Sequence, residues 1–378
     1  MVQPKKILFL INGLGPGGAE RQLLYLFSRL DRERFAPMIC TVYDDSVTPA
    51  HPAYVEQLEA LEVPRYTLAH AHGWSGRASA MQRLIALHWR LHPEIVQGFM
   101  HYANLLARAA RPLCPPHRLY TSARNSFFPG EIRSEAYTWW LDDLLICNAP
   151  HVRQQVLEQT RRPARKVLLI PNGIPVERFV DNPDPGLRQR LFGDVPVVLG
   201  FVGRVAVEKN LPTLINALAQ LSEATRQQIR VFLLGETNDR QLWRSLQAMI
   251  EQHQLQTMVR WLEPVADVRP YYRAADVILL PSLMEGVSNV AMEVCAAGRP
   301  LMVSADANRA GLVQPGVNGW QFDTLDAAQL AQLIERVVAL PAEERAAYGA
   351  HGRQRAERYS VEAMTSQYAA LYSTGSIS

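Results

Sequence analysis

Short apolar runs separated by amphipathic stretches recur along most of the chain. The first run, "KKILFLIN", is long and continuous enough for a strand buried on both faces. The following "AERQLLYLFSRL" has apolar residues three and four positions apart, which predicts a helix, and "APMICTVYD" predicts the next strand. Strands that alternate with helices in this way indicate a parallel sheet covered by helices.

The alternation continues and then restarts. The first half adds the runs "EIVQGFM", "RLYTSA", "LLICNA" and "KVLLIPN". A passage rich in Pro, Asp and Gly, "VDNPDPGLRQ", follows and is the best candidate for a linker. Beyond it the pattern resumes with "PVVLGFVGR", "LPTLINALAQLS", "IRVFLLGE", "QLWRSLQAMIEQH", "VRWLEPV", "RPYYRAAD" and "VILLPS".

These runs predict an α/β protein with two doubly wound, Rossmann-like parallel-sheet domains. We place the first domain at residues 1–180 and the second at 181–355, with a C-terminal helix at 356–378 that packs back on the first domain. Ligands of such sheets bind at the carboxyl ends of the strands. We therefore expect the two domains to face each other across a ligand-binding cleft.

Composition agrees with a globular protein of two domains. The 378 residues are 48% hydrophobic and 20% charged, and no run reaches the roughly 18 apolar residues of a membrane-spanning helix. The four cysteines are scattered, without the spacing of a metal site. We expect buried thiols in a cytoplasmic protein, with no structural zinc.

Charge is distributed unevenly between the two halves. Residues 1–180 contain 21 Lys or Arg against 15 Asp or Glu, whereas the remainder contains 18 against 21. Without a recognised motif this small excess does not predict nucleic-acid binding. It is compatible with an anionic substrate or with peripheral association at an anionic membrane.

One segment of the basic half, "ARNSFFPGEIRSEAYTWWLDD", mixes aromatic and cationic side chains. The residues concerned are Arg124, Phe127, Phe128, Arg133, Trp139 and Trp140. Such mixtures are typical of surfaces that lie at a membrane interface. Core packing or an acceptor groove would use the same residues, and both interpretations stay open.

A glycine-rich loop, "GLGPGG", lies between the first predicted strand and helix. It matches the pattern GxGxxG at Gly13, Gly15 and Gly18, and an acidic pair, Asp44 and Asp45, ends the second strand. This combination permits the alternative of a nicotinamide-dependent oxidoreductase.

The same loop also has features that argue against a dinucleotide. Pro16 removes one of the backbone N–H groups that a pyrophosphate would use. We favour a loop in which Gly15, Gly17 and Gly18 bring the backbone close to an acceptor or a phosphate, with Glu20 at the start of the helix. A purely structural tight turn is the remaining interpretation.

Two cations follow the first strand of the second half, in "GFVGRVAVEKNL". Arg204 and Lys209 lie five residues apart at the strand's carboxyl end, which suits a diphosphate. Only four of the 39 cationic residues are lysines, so a lysine here indicates a need for a compact ammonium group.

Two carboxylates flank the start of a predicted helix in "PSLMEGVSNVAMEVCAAGRP". Ser288 or Asn289 can cap this helix, whose amino end attracts anions or hydroxyl groups. Glu285 and Glu293 are eight residues apart, or about 12 Å along a helix. That is wider than the roughly 5–10 Å of a glycosidase pair and suits the two ends of one elongated ligand, such as a nucleotide-sugar.

Taken in order, several segments resemble the GT-B-fold retaining glycosyltransferases of family GT4 (glycosyltransferase group 1). They are "GLGPGGAERQL", "PNGIPVERF", "FVGRVAVEKNL", "VILLPSLMEGVSNVAMEVCAAGRP" and "GVNGW", and they span nearly the whole chain. The resemblance implies transfer of a sugar from a nucleotide diphosphate sugar, with UDP-sugars favoured over GDP-sugars. It implies a glycan or lipid-linked acceptor in polysaccharide or glycoconjugate biosynthesis. Because no DxD motif is found, we expect no metal cofactor.

The resemblance also implies roles for individual residues. Glu293 would bind the ribose hydroxyls, Glu285 would face the transferred sugar, and Arg204 and Lys209 would neutralise the leaving diphosphate. The other expected donor-binding residues are Gly286, Val287, Ser288 and Asn289 for the sugar or phosphate, and Gly235, Trp261 and Leu262 for the base.

On the first domain, the resemblance implies an acceptor site near the glycine-rich loop, Arg124 and His101. A histidine that contacts the sugar is expected here with a catalytic role. The order His101–Tyr102 is reversed relative to close relatives, so which ring reaches the substrate stays open.

The second half departs from the family pattern in one loop. Ala305, Ala307 and Gly311 stand where the family usually has Asp, Gly and Glu. This difference motivates a further alternative, a non-catalytic protein that binds a nucleotide-sugar.

Overall fold

The computed structural model describes residues 3–15, 17–71, 73–181, 184–237 and 239–376. They form two compact units. The first unit contains the residues up to Gly173 together with those from Val361 onward, and the second is Ile174–Ser360.

In the first unit, strands and helices alternate over the described residues. The strands are β1 (Lys5–Ile11), β2 (Phe35–Tyr43), β3 (Arg65–Ala69), β4 (Ile95–Gly98), β5 (Arg118–Ala123), β6 (Leu144–Cys147) and β7 (Val167–Leu169). The helices are α1 (Gly18–Arg29), α2 (Pro52–Ala60), α3 (Gly73–Leu91), α4 (His101–Ala110), α5 (Pro129–Thr138) and α6 (Pro150–Gln159).

The strands of this unit form a parallel sheet of order β3-β2-β1-β4-β5-β6-β7. β1 shows why its apolar run is continuous. Ile7, Phe9 and Ile11 point into one core cluster, which includes residues of α1, while Leu8 and Leu10 point into another, which includes residues of α3 and α4. Because side chains alternate along a strand, a sheet covered on both faces needs apolar residues at every position.

The second unit repeats this architecture. In chain order its elements are α7 (Leu187–Phe192), β8 (Val197–Val202), α8 (Leu211–Leu218), α9 (Glu223–Gln228), β9 (Ile229–Leu234), α10 (Arg240–Gln252), β10 (Val259–Leu262), α11 (Arg269–Ala274), β11 (Val277–Leu280), α12 (Asn289–Ala296), β12 (Leu301–Ser304), β13 (Gly319–Phe322), α13 (Ala327–Ala339) and α14 (Ala342–Ala356). Its parallel sheet has the order β10-β9-β8-β11-β12-β13. The prediction of two doubly wound α/β domains is confirmed.

Each sheet has one point where the strand order reverses direction. In the first unit this point lies between β1 and β4, and in the second between β8 and β11. The loops at the carboxyl ends of these strand pairs diverge to opposite sides of the sheet and leave a crevice in which ligands bind.

The last helix, α15 (Val361–Thr374), belongs to the first unit. Met364, Tyr368 and Tyr372 are buried in the cluster that contains Phe9. Lys5 donates from its ammonium to the carbonyls of Tyr372 (3.2 Å) and Ser373 (2.9 Å), so the positive charge lies at the carboxyl end of the helix, where it is favourable. The expected packing of the C-terminal helix on the first domain is confirmed.

The units change over at Gly173/Ile174 and Ser360/Val361, whereas the sequence-based boundaries lie at 180/181 and 355/356. The Ile174 N–H donates to the Tyr359 carbonyl at 2.7 Å, and Ile174 forms an isolated parallel bridge with Ser360. The Phe179 ring packs against Tyr272 of α11. These contacts tie residues 174–180 to the second unit.

Candidate active site

Backbone contacts join the loops that follow β8 and β9. The Val205 N–H donates to the Glu236 carbonyl at 2.8 Å. Gly235 has φ of +149°, and a Cβ atom there would lie 2.2 Å from the Gly203 carbonyl oxygen. Only glycine allows this approach, so Gly235 has a structural reason for its identity.

At the reversal point of the second sheet, a lysine and a glutamate meet. Lys209 lies in a short 3-10 helix after β8, and its Nζ is 2.6 Å from Oε1 of Glu285, which follows β11. Both side chains are mostly buried, with exposures of 18% and 14%. The Leu283 N–H also donates to the Glu208 carbonyl at 2.8 Å, so the two loops are fixed to each other.

Buried serines support this glutamate. The Ser282 hydroxyl donates to Glu285 Oε1 at 2.9 Å, and the Ser304 hydroxyl donates to the Ser282 carbonyl at 2.6 Å. The Ala307 N–H donates in turn to Ser304 Oγ at 3.2 Å. A line of hydrogen bonds therefore connects Glu285 to the 305–311 loop, whose sequence departs from the family pattern.

Within that loop, other side chains pair with one another. Arg309 donates to Asp306 Oδ1 at 3.0 Å, and the Asp306 N–H donates to the Thr324 hydroxyl at 3.1 Å. Asn308 donates to the Val313 carbonyl at 2.8 Å. The loop is thus held by its own polar contacts.

Ser288 is the cap of α12. Its hydroxyl accepts from the Ala291 N–H at 3.3 Å, and the helix begins at Asn289. Gly286, Val287 and Ser288 are all buried. The capping role predicted for Ser288 or Asn289 therefore falls to Ser288.

Glu293 lies in the second turn of α12 and is only 5% exposed. The Tyr272 hydroxyl, from α11, donates to its Oε2 at 2.6 Å. The carboxylate is therefore held in one position before any ligand arrives.

Arg204 is arranged differently from Lys209. Its side chain is 61% exposed, and its nearest acidic contact is Glu208, one turn further along the same loop, at 3.4 Å. It borders a surface hollow of about 670 Å³ that Asp239 and Arg240 also line. Arg204 and Lys209 thus share a loop, but Lys209 is the one held against Glu285.

The residues expected at the base lie at neighbouring strand ends. The Gly235 N–H donates to the Leu262 carbonyl at 3.3 Å. Trp261 packs against Trp243 of α10, with ring centroids 4.5 Å apart, so part of its surface is covered.

In the first unit, the glycine-rich loop leads directly into α1, which begins at Gly18. Its N-cap residue, Gly17, has no side chain that could accept a hydrogen bond from the helix. The Glu20 carboxylate lies over Gly17, so a Cβ atom added there by substitution would lie only 2.1 Å from Glu20 Oε2. Burial raises the pKa of Glu20. Apart from its chain neighbours, no described residue has an atom within 4 Å of a Cβ placed on Gly15, and Pro16 lies outside the described residues.

The acidic pair that a dinucleotide would need is engaged elsewhere. Asp44 accepts from the N–H groups of Ser46 (3.1 Å) and Val47 (3.2 Å) and pairs with His70, while Asp45 pairs with Arg65. These contacts do not favour the oxidoreductase alternative.

His101 is the first residue of α4, at the reversal point of the first sheet. Its Nε2 lies 3.2 Å from the Ser134 hydroxyl oxygen, and its Nδ1 is buried with no hydrogen-bond partner among the described residues. Tyr102 instead stacks on Tyr43, with centroids 5.9 Å apart. His101 is therefore the ring with an unused polar atom.

Arg124 follows β5 and is 8% exposed. It donates to Asn172 Oδ1 at 3.1 Å and lies 4.6 Å from the centre of the Phe99 ring. Within the described part of the chain, its Nε has no hydrogen-bond partner, and neither do Oδ1 of Asn12 and Oδ1 of Asn148. These three residues all follow strands of the first sheet at its carboxyl edge.

The aromatic residues of the mixed segment divide between core and surface. Phe127 is 8% exposed, whereas Phe128 and Trp140 are 63% and 64% exposed. The Lys166 ammonium lies 5.5 Å from the centre of the Trp139 ring.

The described residues include no group of three or more His, Cys, Asp or Glu side chains placed to hold a metal ion. They also include no helix with the length and hydropathy needed to cross a membrane. Of the thiols, Cys40, Cys147 and Cys295 are buried and Cys114 is partly exposed.

The chain contains two Rossmann-like units, and an ammonium–carboxylate pair lies at the reversal point of the second sheet. This is the architecture of a GT-B enzyme. Family models match both halves: Glycosyltransferase Family 4 over residues 16–178 and Glycosyl transferases group 1 over residues 188–355. The chain is therefore a group 1 glycosyltransferase of GT4 type, an enzyme class that uses nucleotide sugars.

Named relatives agree with this class. A D-inositol 3-phosphate glycosyltransferase of Geodermatophilus obscurus is 27% identical over 356 residues, 92% of this chain and 73% of the relative. The lipopolysaccharide core biosynthesis glycosyltransferase LpsE of Rhizobium meliloti is 28% identical over 52% of this chain and 54% of its own. The crystal structure of Anabaena Alr3699/HepE in complex with UDP and glucose matches the fold with a TM-score of 0.84 and 21% identity, over 98% of this chain and all of that one.

Several residues of the site were not found from the sequence. Ser282 donates to Glu285 and Tyr272 donates to Glu293, Ser304 holds the Ser282 carbonyl, and Ser134 contacts His101. Ser282 lies in the same segment as Glu285, three residues before it, and could have been found from that position. The others come from distant parts of the chain and left no local signal.

Proposed function

We propose that this glycosyltransferase is a retaining enzyme that transfers a sugar from a UDP-sugar, in preference to a GDP-sugar, without a metal cofactor. The observation that carries the proposal is the contact of 2.6 Å between Lys209 and Glu285. It puts a fixed ammonium group beside the loop that leads into the amino end of α12, where an anionic donor would be stabilised.

The chemistry requires positive charge near the leaving diphosphate. When the bond between the sugar C1 and the diphosphate oxygen breaks, negative charge collects on the diphosphate and positive charge on the sugar. Lys209, Arg204 and the amino end of α12 would stabilise the negative charge on the diphosphate, and Glu285 would accept hydrogen bonds from the sugar. Glu293 would accept from the ribose, with the base near Gly235, Trp261 and Leu262.

Support for uridine comes from the Anabaena protein, whose structure contains UDP and glucose. The test is a rate comparison among UDP-, GDP- and ADP-glucose, with product configuration read by NMR and with EDTA added in parallel. Retention with a UDP-sugar and unchanged rates in EDTA are expected. An inverted product, a preference for GDP, or loss of activity in EDTA would each contradict one part of the proposal.

The alternative of a non-catalytic binding protein has one specific motive, the altered residues Ala305, Ala307 and Gly311. Tight binding of a nucleotide-sugar with neither hydrolysis nor transfer, under conditions where a related glycosyltransferase is active, would favour that alternative.

The acceptor is proposed to be a glycan or a lipid-linked saccharide held by the first unit. The named relatives act on a phosphorylated polyol or in lipopolysaccharide core synthesis, both rich in hydroxyl groups. Asn12, Arg124 and Asn148 each have a buried polar atom that finds no partner among the residues described, and His101 has another. A panel of acceptors, with UDP release as the readout, would test whether a hydroxyl-rich acceptor stimulates turnover.

Peripheral attachment at the cytoplasmic face of a membrane is also proposed. Tyr137 and Trp140 are 68% and 64% exposed, and the exposed Arg133 lies one helical turn before Tyr137. Co-sedimentation with anionic vesicles should be reduced in Trp140→Ala and by high salt. Trp89→Ala removes an aromatic ring of similar exposure (57%) and is the matched control. Equal binding by all three proteins, or none at low salt, would contradict the proposal.

A further inference from the structure

The contacts around His101 assign a role to a residue on a neighbouring helix. We propose that Ser134, on α5, is a positioning residue that determines which nitrogen of His101 carries the proton. The inference rests on the proposed function, because it matters for catalysis only if His101 faces a sugar substrate.

The argument counts protons on the Ser134 hydroxyl group. Its oxygen lies 2.7 Å from the Glu131 carbonyl oxygen and 3.2 Å from His101 Nε2. A serine hydroxyl has one proton, and a carbonyl oxygen can only accept. The proton therefore goes to Glu131, at the shorter distance, and the serine oxygen is left to accept from His101. Nε2 of His101 must then carry a hydrogen.

The other ring nitrogen of His101, Nδ1, then carries no proton. In a neutral imidazole only one nitrogen is protonated, so Nδ1 of His101 is an acceptor. That atom is buried and has no hydrogen-bond partner among the residues that the structure describes, while the Phe127 ring lies at 6.3 Å in an edge-on arrangement. Buried polar atoms are rarely left unpaired. A sugar hydroxyl group is a donor of the right kind for this position.

The backbone around His101 gives independent support. Met100, the residue before it, has φ of +76° and ψ of 155°, a backbone conformation that residues other than glycine avoid. Strain of this kind persists where the surrounding structure requires it, and it is concentrated at functional sites. Here it sets the direction in which α4 begins and therefore the direction of the His101 ring.

Ser134 is itself held by a buried ion pair. The next residue, Glu135, is fully buried and accepts from Nη1 (2.7 Å) and Nη2 (2.8 Å) of Arg108 on α4. Thr138, one turn further along α5, accepts from the same guanidinium at 3.0 Å. A two-point contact of this kind resists sliding and rotation of the helix. The Ser134 hydroxyl therefore keeps its place relative to His101.

The protonation state can be read directly by NMR. In protein labelled with ¹⁵N-histidine, the signals of His101 are identified by their loss in His101→Gln. Above neutral pH, we expect a protonated Nε2 and an unprotonated Nδ1. A proton on Nδ1 would overturn the inference.

Three variants then test the positioning role. Ser134→Ala should broaden the Nε2–H signal through faster exchange with water, and Ser134→Thr, which keeps the hydroxyl group, should restore it. In the transfer reaction, Ser134→Ala should lower kcat about tenfold, the effect of one hydrogen bond, with the donor KM changed less than about twofold. Ser28→Ala is the matched control, because Ser28 also donates to a carbonyl three residues earlier, at 2.8 Å, but on an exposed surface.

The outcomes separate this inference from the proposed function. A sharp Nε2–H signal and full kcat in Ser134→Ala would overturn the inference whatever the reaction proves to be. Loss of the signal together with unchanged transfer in both Ser134→Ala and His101→Gln would uphold the contact and overturn the catalytic role of His101. If no sugar transfer is found with any donor, the proposed function fails, and the NMR result still decides on the contact.

Discussion

The carboxyl edges of the two sheets differ in how their polar side chains are paired. In the second unit the groups that are expected to bind the donor are paired with one another, although the Thr237 hydroxyl oxygen, after β9, is buried without a partner among the described residues. Lys209 contacts Glu285, Ser282 donates to the same carboxylate, and Tyr272 donates to Glu293. A ligand that enters this site meets a network that is already formed.

At the corresponding edge of the first sheet, the hydrogen bonding of the polar side chains is less complete. Asn12, His101, Arg124 and Asn148 each have one buried polar atom to which no described residue offers a hydrogen bond. An unpaired buried group costs about 1–3 kcal/mol, so such a collection is unfavourable unless a ligand supplies the partners.

The difference suggests two ways of building a binding site. The second unit holds its groups in advance, and its ligand must compete with an internal ion pair. The first unit leaves atoms unpaired, and its ligand gains by pairing with them. Substitutions in the two units should therefore affect different kinetic constants.

The largest effect is expected from Lys209→Ala. Loss of the fixed ammonium removes charge that stabilises the leaving diphosphate, and kcat should fall about 100- to 1000-fold. Arg190→Ala, which removes an exposed cation paired with Asp184 in the same unit, is the control and should retain full activity. Similar rates for both variants would show that the Lys209–Glu285 pair is structural only.

A smaller effect is expected from Arg124→Ala in the first unit. If its unpaired Nε serves the acceptor, kcat/KM for the acceptor should fall about 10- to 100-fold while the donor KM stays constant. Arg165→Ala removes an exposed cation of the same unit and serves as the control. A change confined to the donor KM would contradict the assignment of acceptor binding to the first unit and donor binding to the second.

His88 tests whether every unpaired group awaits a ligand. Both its ring nitrogens are buried and have no partners in the described part of the chain. The ring packs against His117, at the amino end of β5 and thus at the opposite edge of the sheet. Burial, together with the nearby His117, lowers the pKa of His88 to about 4, and burial also lowers the pKa of His117. We expect these groups to cost stability and to bind nothing.

The sign of the resulting pH dependence follows from this shift. Between about pH 6.5 and pH 4 the unfolded chain binds a proton at His88 that the folded protein does not, so stability falls as the pH is lowered. The loss should be on the order of 2 kcal/mol, measured by urea unfolding at both pH values. His88→Phe should flatten the dependence. Parallel curves for the two proteins would show that His88 does not cause it.

The smallest effect is expected from Tyr272→Phe. Glu293 then loses one preformed hydrogen bond, and the donor KM should rise about threefold to tenfold with kcat nearly unchanged. Tyr271→Phe, its neighbour on α11, is the control. A larger effect on kcat than on KM would place Glu293 closer to the reacting atoms than proposed.

Much of the fold was predictable because its signals are local. β1, β2 and β8 are continuous apolar runs, and such runs are enough to predict strands buried on both faces. The edge strand β3, "RYTLA", was not predicted, because an edge strand is half-exposed and more polar. β12 and β13, each of four residues, were also not predicted as strands.

Part of the site was predictable for the same reason. Lys209, Glu285 and Ser288 lie in short motifs whose spacing gives their place at a strand end or a helix start. The scarcity of lysine was less informative: Lys5 and Lys6 both donate to carbonyls at the carboxyl ends of helices, a contact that Arg226 also makes at the end of α8.

The amino-acid order alone thus establishes two α/β units, the loops that carry the functional groups and the enzyme class. Which side chains meet depended on folding, because Tyr272 and Glu293, or Ser134 and His101, are brought together by the packing of helices that are separate in the chain. A hydrogen bond depends on distances of a few tenths of an ångström, and only the packed structure sets distances to that accuracy.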